Sequence, residues 1–258
     1  MNSNQTNANQ SCTGQANVCQ PSAGQTSVNQ SNANQTNNNL TELVFILDRS
    51  GSMGGLESDT IGGFNSMLSK QQAEPGECRI TTVLFDNLYE VLHDRINIKA
   101  VRPMTSKEYN VRGSTALLDA IGQAISKIDS VQKNTAEEYR AQKVLFVITT
   151  DGMENASREY DYNRIKTMIQ HQKDNHNWEF IFLGANIDAV EVAGRFGLDS
   201  SRAQSFHNDS QGIALNYSVL SESIKAYRAA PPSCAKFADD WSGDIQTDFS
   251  LRGKKKKK

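Results

Sequence analysis

For forty residues the sequence has no charge: positions 1–40 contain no Asp, Glu, Lys or Arg. It also lacks any long apolar run. The longest, 43–47 and 144–148, fall far short of the ~20 residues that span a bilayer. Residues 1–10 carry no basic residue, and no apolar stretch follows them, so nothing there resembles a secretory signal. The four cysteines, Cys12, Cys19, Cys78 and Cys234, show no close paired spacing, which argues against a disulfide scaffold or a zinc knuckle. A reducing, cytoplasmic setting is therefore expected. There is no Gly-x-Ser-x-Gly elbow and no P-loop. His171 and His176 sit at a polar helix end, and His93 and His207 have no clustered partners.

What is present divides into three. In 1–40, Gln recurs at 5, 10, 15, 20, 25, 30 and 35. The five-residue period resembles the pentapeptide-repeat family, but Gln stands where that family has Leu or Phe. Without an apolar centre the tract does not offset its ordering entropy by itself. Two readings stay open, a low-complexity Asn/Gln-rich tail and an oligomerising β-structure with Gln ladders. Residues 41–228 have the texture of an α/β domain. Residues 229–258 form an extension with Phe237, Trp241, Ile245 and Phe249 spaced four apart among acids. It ends in the five lysines 254–258. The net charge of −2 hides a split: Arg252 and those lysines carry +6, which leaves −8 on 41–250. So acidic a body argues against a nucleic-acid partner, and the lysines read as a solvated end or a contact to an acidic protein. The aromatic segment either binds a partner or packs back on its own domain.

Within 41–228 the pattern predicts strands at 43–47, 80–85, 144–148 and 180–183. The run 88–98 hairpins back as an antiparallel edge. Helices are expected at 57–72, 115–131, 158–174 and 211–228, the last stopped by Pro231-Pro232. Continuous apolar strands separated by helices imply a doubly wound, mainly parallel sheet with helices on both faces.

In such a sheet, sites form at the carboxyl ends of the strands. The first strand runs into Asp48-Arg49-Ser50-Gly51-Ser52-Met53, and 144–148 runs into Thr149-Thr150-Asp151-Gly152. Between them lies Gly113-Ser114-Thr115. Asp48, Ser50, Ser52, Thr115 and Asp151 are five oxygen donors with no His or Cys nearby, a set that suits Mg²⁺ or Mn²⁺ better than zinc. Taken singly, each also suits a helix cap. Asp119 reads as a first-turn acid favoured by the helix dipole.

The string 48–53 resembles the D-x-S-x-S signature of the metal-ion-dependent adhesion site of von Willebrand A domains. Thr115 and Asp151 match that site's Thr and last Asp, at intervals of 67 and 36 residues. Gly-Ser-Thr-Ala-Leu at 113–117 and Phe-Leu-Gly-Ala-Asn at 182–186 resemble small stand-alone bacterial members, including those associated with tellurite resistance. The resemblance implies that Ser50, Ser52 and Thr115 touch the metal, with Asp48 and Asp151 bound directly or through water. It implies a non-enzymatic protein-interaction module in which a partner's Glu or Asp completes the metal's shell. Arg49, Met53, Asn110, Arg112, Glu154, Asn155, Asn186 and Asp188 are then the candidate rim. A second reading is a self-assembling structural protein built through 1–40. A third is a metal-dependent hydrolase, although Asp48-Arg49-Ser50 lacks the second Asp of haloacid-dehalogenase phosphatases.

Overall fold

In the computed structural model, residues 39–255 are described; the Gln-repeat tract up to 38 and the final lysines 256–258 lie outside them. Six strands form one sheet: β1 (Thr41–Asp48), β2 (Cys78–Phe85), β3 (Tyr89–Asn97), β4 (Lys143–Thr150), β5 (Glu179–Ala185) and β6 (Ala203–Phe206). Their order is β3-β2-β1-β4-β5-β6. All pairs are parallel except β2 with β3, the expected antiparallel edge. The order reverses between β1 and β4, which are direct neighbours.

The strict alternation of a strand explains why β1 is apolar without a break from Leu43 to Leu47. Leu43, Phe45 and Leu47 enter one core, with Phe64, Met67 and Leu68 of α1 (Glu57–Ala73) and Ile213, Tyr217, Leu220 and Ile224 of α5 (Ser210–Ala229). Val44 and Ile46 enter the other, with α2 (Leu117–Lys133), α3 (Tyr162–His176) and α4 (Ala189–Arg195). A strand covered on both faces needs apolar residues at every position.

Three elements escape the sequence pattern. Strand β6 has only four residues, Ala-Gln-Ser-Phe, and α4 only seven. Neither is long enough to show a period. The third is α6 (Gly243–Lys255). Two helices also begin later than expected. The amides of Arg158, Glu159 and Tyr160 all donate to the Asp119 carboxylate at 2.8–2.9 Å, so they are not in a helix. Asp161 then caps α3 by accepting from Arg164 N at 2.8 Å. Asp119 is thus a staple for the 158–160 loop more than a dipole partner. Helix α2 starts at Leu117, which leaves Thr115 in the loop before it.

The acidic–aromatic segment packs back. Phe237, Trp241 and Ile245 are buried in the core shared by α1 and α5, and only Phe249 of that quartet stays 36% exposed. Trp241 stands edge-on to Phe237 at 5.6 Å and donates from Nε1 to Ser201 O at 2.8 Å. Trp241→Ala removes a large buried ring and strands a carbonyl. It should destabilise the domain by ~3–5 kcal/mol, read as a lowered midpoint in urea denaturation.

Candidate metal centre

The site occupies the switch point of the sheet, where β1 and β4 end side by side. Asp48 closes β1. Its Oδ1 accepts from Ser50 N at 2.7 Å and its Oδ2 from the Thr150 hydroxyl at 2.6 Å. The buried Tyr109 hydroxyl donates to Asp48 O at 2.5 Å. Asp151 follows β4. Its Oδ1 accepts from Ser52 Oγ at 2.5 Å and its Oδ2 from Asn208 Nδ2 at 3.0 Å. The Ser50 and Ser52 hydroxyls lie 3.1 Å apart. A Cβ on Gly152 would stand 3.4 Å from Ser52 Oγ and 3.6 Å from Thr115 Oγ1. Those two hydroxyls therefore flank the same spot. The structure thus brings all five sequence-predicted donors to one cleft. Asp48, Ser50, Thr115 and Asp151 are buried, and Ser52 alone faces solvent.

The loops that carry the donors are tied to each other. Gly51 N donates to Gly113 O at 3.2 Å, with Gly113 at φ 69°, a left-handed turn that favours glycine. Thr115 N donates to Asn155 Oδ1 at 2.9 Å, and Asn155 N returns to Thr115 O at 3.0 Å.

Of the expected rim, Arg49 and Met53 are buried, Glu154 is half-buried, and Asn110, Arg112, Asn155, Asn186 and Asp188 are exposed. Arg49 is 2% exposed, pairing through Nε with Asp86 at 3.0 Å and through Nη1 with Glu90 at 2.8 Å. Arg112 reaches the same Asp86 oxygen at 2.8 Å. The buried Asp86, just beyond β2, takes both guanidiniums because a lone carboxylate there would be costly. Met53 is buried as well. Glu154 accepts from the amides of Leu118, Ala156 and Ser157. Asp188 caps α4. Asn186, at φ 56°, reaches Asp151 O at 3.5 Å, and Asn110 holds Lys107 O. Asn208 was not legible in the sequence, since it lies on the loop after the unrecognised β6.

No protein-family profile and no curated protein sequence matches the chain. Solved structures do. One is a von Willebrand factor type A protein from Catenulispora acidiphila: TM-score 0.50, 14% identity, over 72% of this chain and 42% of that one. The chain has the von Willebrand A fold. Proximal thread matrix protein 1 of the mussel byssus, in a structure with a zinc-occupied MIDAS motif, also matches: TM-score 0.50, 11% identity, 70% and 47% covered. So does the pilus adhesin SpaC of Lactobacillus rhamnosus GG in its open conformation: TM-score 0.53, 10% identity, 72% and 30% covered. The chain spans less than half the length of each. At such identities the likeness is one of fold.

The donor chemistry of this domain of von Willebrand A fold fits a divalent cation. Three hydroxyls and two carboxylates converge, and among the described residues no group of three or more His, Cys, Asp or Glu is gathered to hold a metal. Burial pushes the Asp48 carboxyl above its ordinary value of 3.8. Hydrogen bonds from Thr150 and Ser50 oppose this, and the neighbouring Asp151 adds to it. Burial likewise raises Asp151, against hydrogen bonds from Ser52 and Asn208. An acid raised in the fold contributes stability at low pH that is lost as pH climbs through the raised value. Asp48→Asn removes that loss, and the Thr150 hydroxyl can turn to accept from the new amide. In EDTA the variant should melt above wild type at pH 7. The gap in melting temperature should close as pH falls toward 3.8.

Proposed function

We propose that the domain is a metal-dependent protein-interaction module, holding Mg²⁺ or Mn²⁺ through Ser50, Ser52, Thr115, Asp48 and Asp151 and capturing a partner's Glu or Asp. The observation that carries this reading is the convergence of two carboxylates and three hydroxyls in one cleft. Two carboxylates balance a dication's charge, and the neutral hydroxyls leave it electrophilic enough to accept an oxygen from a partner carboxylate. The protein's own groups do the rest. Thr150 and Ser50 N orient Asp48, Ser52 and Asn208 orient Asp151, and Tyr109 holds the backbone carbonyl of Asp48.

The surroundings suit a protein surface. Leu88 and Met153 are 57% exposed and Val190 43%, on the segments that follow β2, β4 and β5. A partner acid flanked by apolar residues fits such a rim. The zinc-occupied MIDAS of the byssus protein supports a divalent cation in general, and the oxygen-only donor set favours Mg²⁺ or Mn²⁺ here. No helix among the described residues is long and apolar enough to cross a membrane; a cytoplasmic setting belongs to the same proposal. So does the likeness to the tellurite-resistance-associated members, which rests on 113–117 and 182–186. The Gln repeat supports a second, compatible reading, self-association through 1–40. Size-exclusion chromatography of the full chain against one starting at residue 40 tests it. A phosphatase screen with Mg²⁺ tests the hydrolase alternative.

The metal should stabilise the fold by mass action, by ~2.7 kcal/mol at a hundred times its Kd. Millimolar Mg²⁺ or Mn²⁺ is expected to raise the melting temperature of wild type and not of Asp48→Ala. Unchanged wild-type melting in both ions would count against a metal held without a partner. Partner binding, once a partner is in hand, should vanish with EDTA, with Thr115→Ala, and with loss of a single acid on the partner. Survival through all three would move the interface elsewhere on the domain.

A further inference from the structure

Three consecutive residues between β6 and α5 join the metal cleft to the C-terminal helix. The middle one, Asn208, donates from Nδ2 to Asp151 Oδ2 at 3.0 Å. The outer two hold α6. His207 Nε2 lies 3.2 Å from Phe249 O, and the two rings pack with centroids 4.8 Å apart. Arg252 Nη1 donates to Asp209 Oδ2 at 2.6 Å. Arg252 is itself held by Asp248, one helical turn earlier, whose two carboxylate oxygens both accept from Nε at 2.9 Å.

The loop has little freedom to move apart from these contacts. Asp209 caps α5 by accepting from Gly212 N at 2.9 Å. A Cβ on Gly212 would stand 2.0 Å from His207 O, so the loop backbone lies directly on the first turn of α5. Inside this frame the Asn208 amide reaches the second oxygen of Asp151, while Ser52 takes the first. Its own Oδ1 is buried and has no partner among the described residues. A buried, unpaired carbonyl costs stability, so the amide is placed badly for folding alone. It is placed well for holding Asp151.

We propose that Asn208 is a positioning residue for Asp151, and that α6 sets the affinity of the metal site by fixing the Asn208 loop through Arg252 and Phe249. This rests on the metal-site reading above. Groups that orient a metal ligand typically change metal affinity by ~10–100-fold when removed. The Arg252–Asp209 pair is itself half in solvent, with side chains 23% and 49% exposed, and a pair so placed adds little to folding stability. Its effect on the metal and its effect on the fold are therefore separable. Because binding equilibria are reciprocal, a metal that tightens on Asp151 must also tighten α6.

The test uses the full chain and Mn²⁺ alone, with calorimetric titration and melting in EDTA. Asn208→Ala should weaken Mn²⁺ binding by ~10-fold or more. Arg252→Ala should weaken it by less, with metal-free melting nearly unchanged, and Arg252→Lys should recover part of the loss. The double variant should bind no worse than Asn208→Ala, because both changes act on one contact. In hydrogen exchange, Mn²⁺ should slow the amides of 243–252 in wild type and leave them unaltered in Asn208→Ala. Wild-type affinity in Arg252→Ala, or losses that simply add in the double variant, would overturn the coupling. A wild-type chain that binds no Mn²⁺ would overturn the metal-site reading itself, and the inference with it.

Discussion

Two carboxylates that have to be buried side by side set the terms for this domain. Asp48 and Asp151 end adjacent parallel strands at the switch point, 2% and 1% exposed. Like charges in that setting repel, and each loses hydration. Four groups within hydrogen-bond reach compensate: Ser50 N, Thr150, Ser52 and Asn208. They come from three places on the chain. The tight turn after β1 supplies Ser50 and Ser52, the last residue of β4 supplies Thr150, and the loop after β6 supplies Asn208. The cleft is affordable because protein donors stand where water would have been.

Around it, a second set of acids holds the loops. Asp86 gathers Arg49 and Arg112, Asp119 gathers three amides of 158–160, and Glu154 spans from its own loop to the first turn of α2. Buried or loop-side carboxylates are obliged to find donors. In this domain those donors are the guanidiniums of Arg49 and Arg112, the backbone amides of 156–160 and the amide of Leu118. Stiffness in the framework and geometry in the cleft are therefore two results of one set of hydrogen bonds. It also explains why residues that look like a rim in sequence, Arg49 and Glu154 above all, are spent on the scaffold.

The C-terminal segment widens the helical cover on one face, with α6 packing against both β6 and α5. Phe237, Trp241 and Ile245 enlarge the core beneath α1 and α5, and Arg202 reaches Asp239 at 2.6 Å as well as Glu179 at 3.0 Å. This packing carries α6 up to the loop after β6. The distance in sequence between Asp151 and Arg252 is large, yet their contacts fall on adjacent residues, Asn208 and Asp209.

Much of the domain was legible because β1, β4 and β5 hold continuous apolar runs at 43–47, 144–148 and 180–183, as a doubly covered strand requires, and because helices of regular period lie between them. Asp48, Ser50, Ser52, Thr115 and Asp151 were legible because strand ends in such a sheet meet, so three separated strings imply one place. The short elements were not. Strand β6 has no run long enough to show a period, and without β6 nothing in sequence brings Asn208 to Asp151. Whether the acids and aromatics of 237–249 face a partner or their own core was also open, since four-residue spacing suits both. Tertiary packing decided it, through the apolar surface that α1 and α5 leave for Trp241 to cover. Local sequence determined which atoms end each strand; only the packed sheet determined which of those atoms share a cleft, because that depends on strand order and on contacts between residues a hundred positions apart.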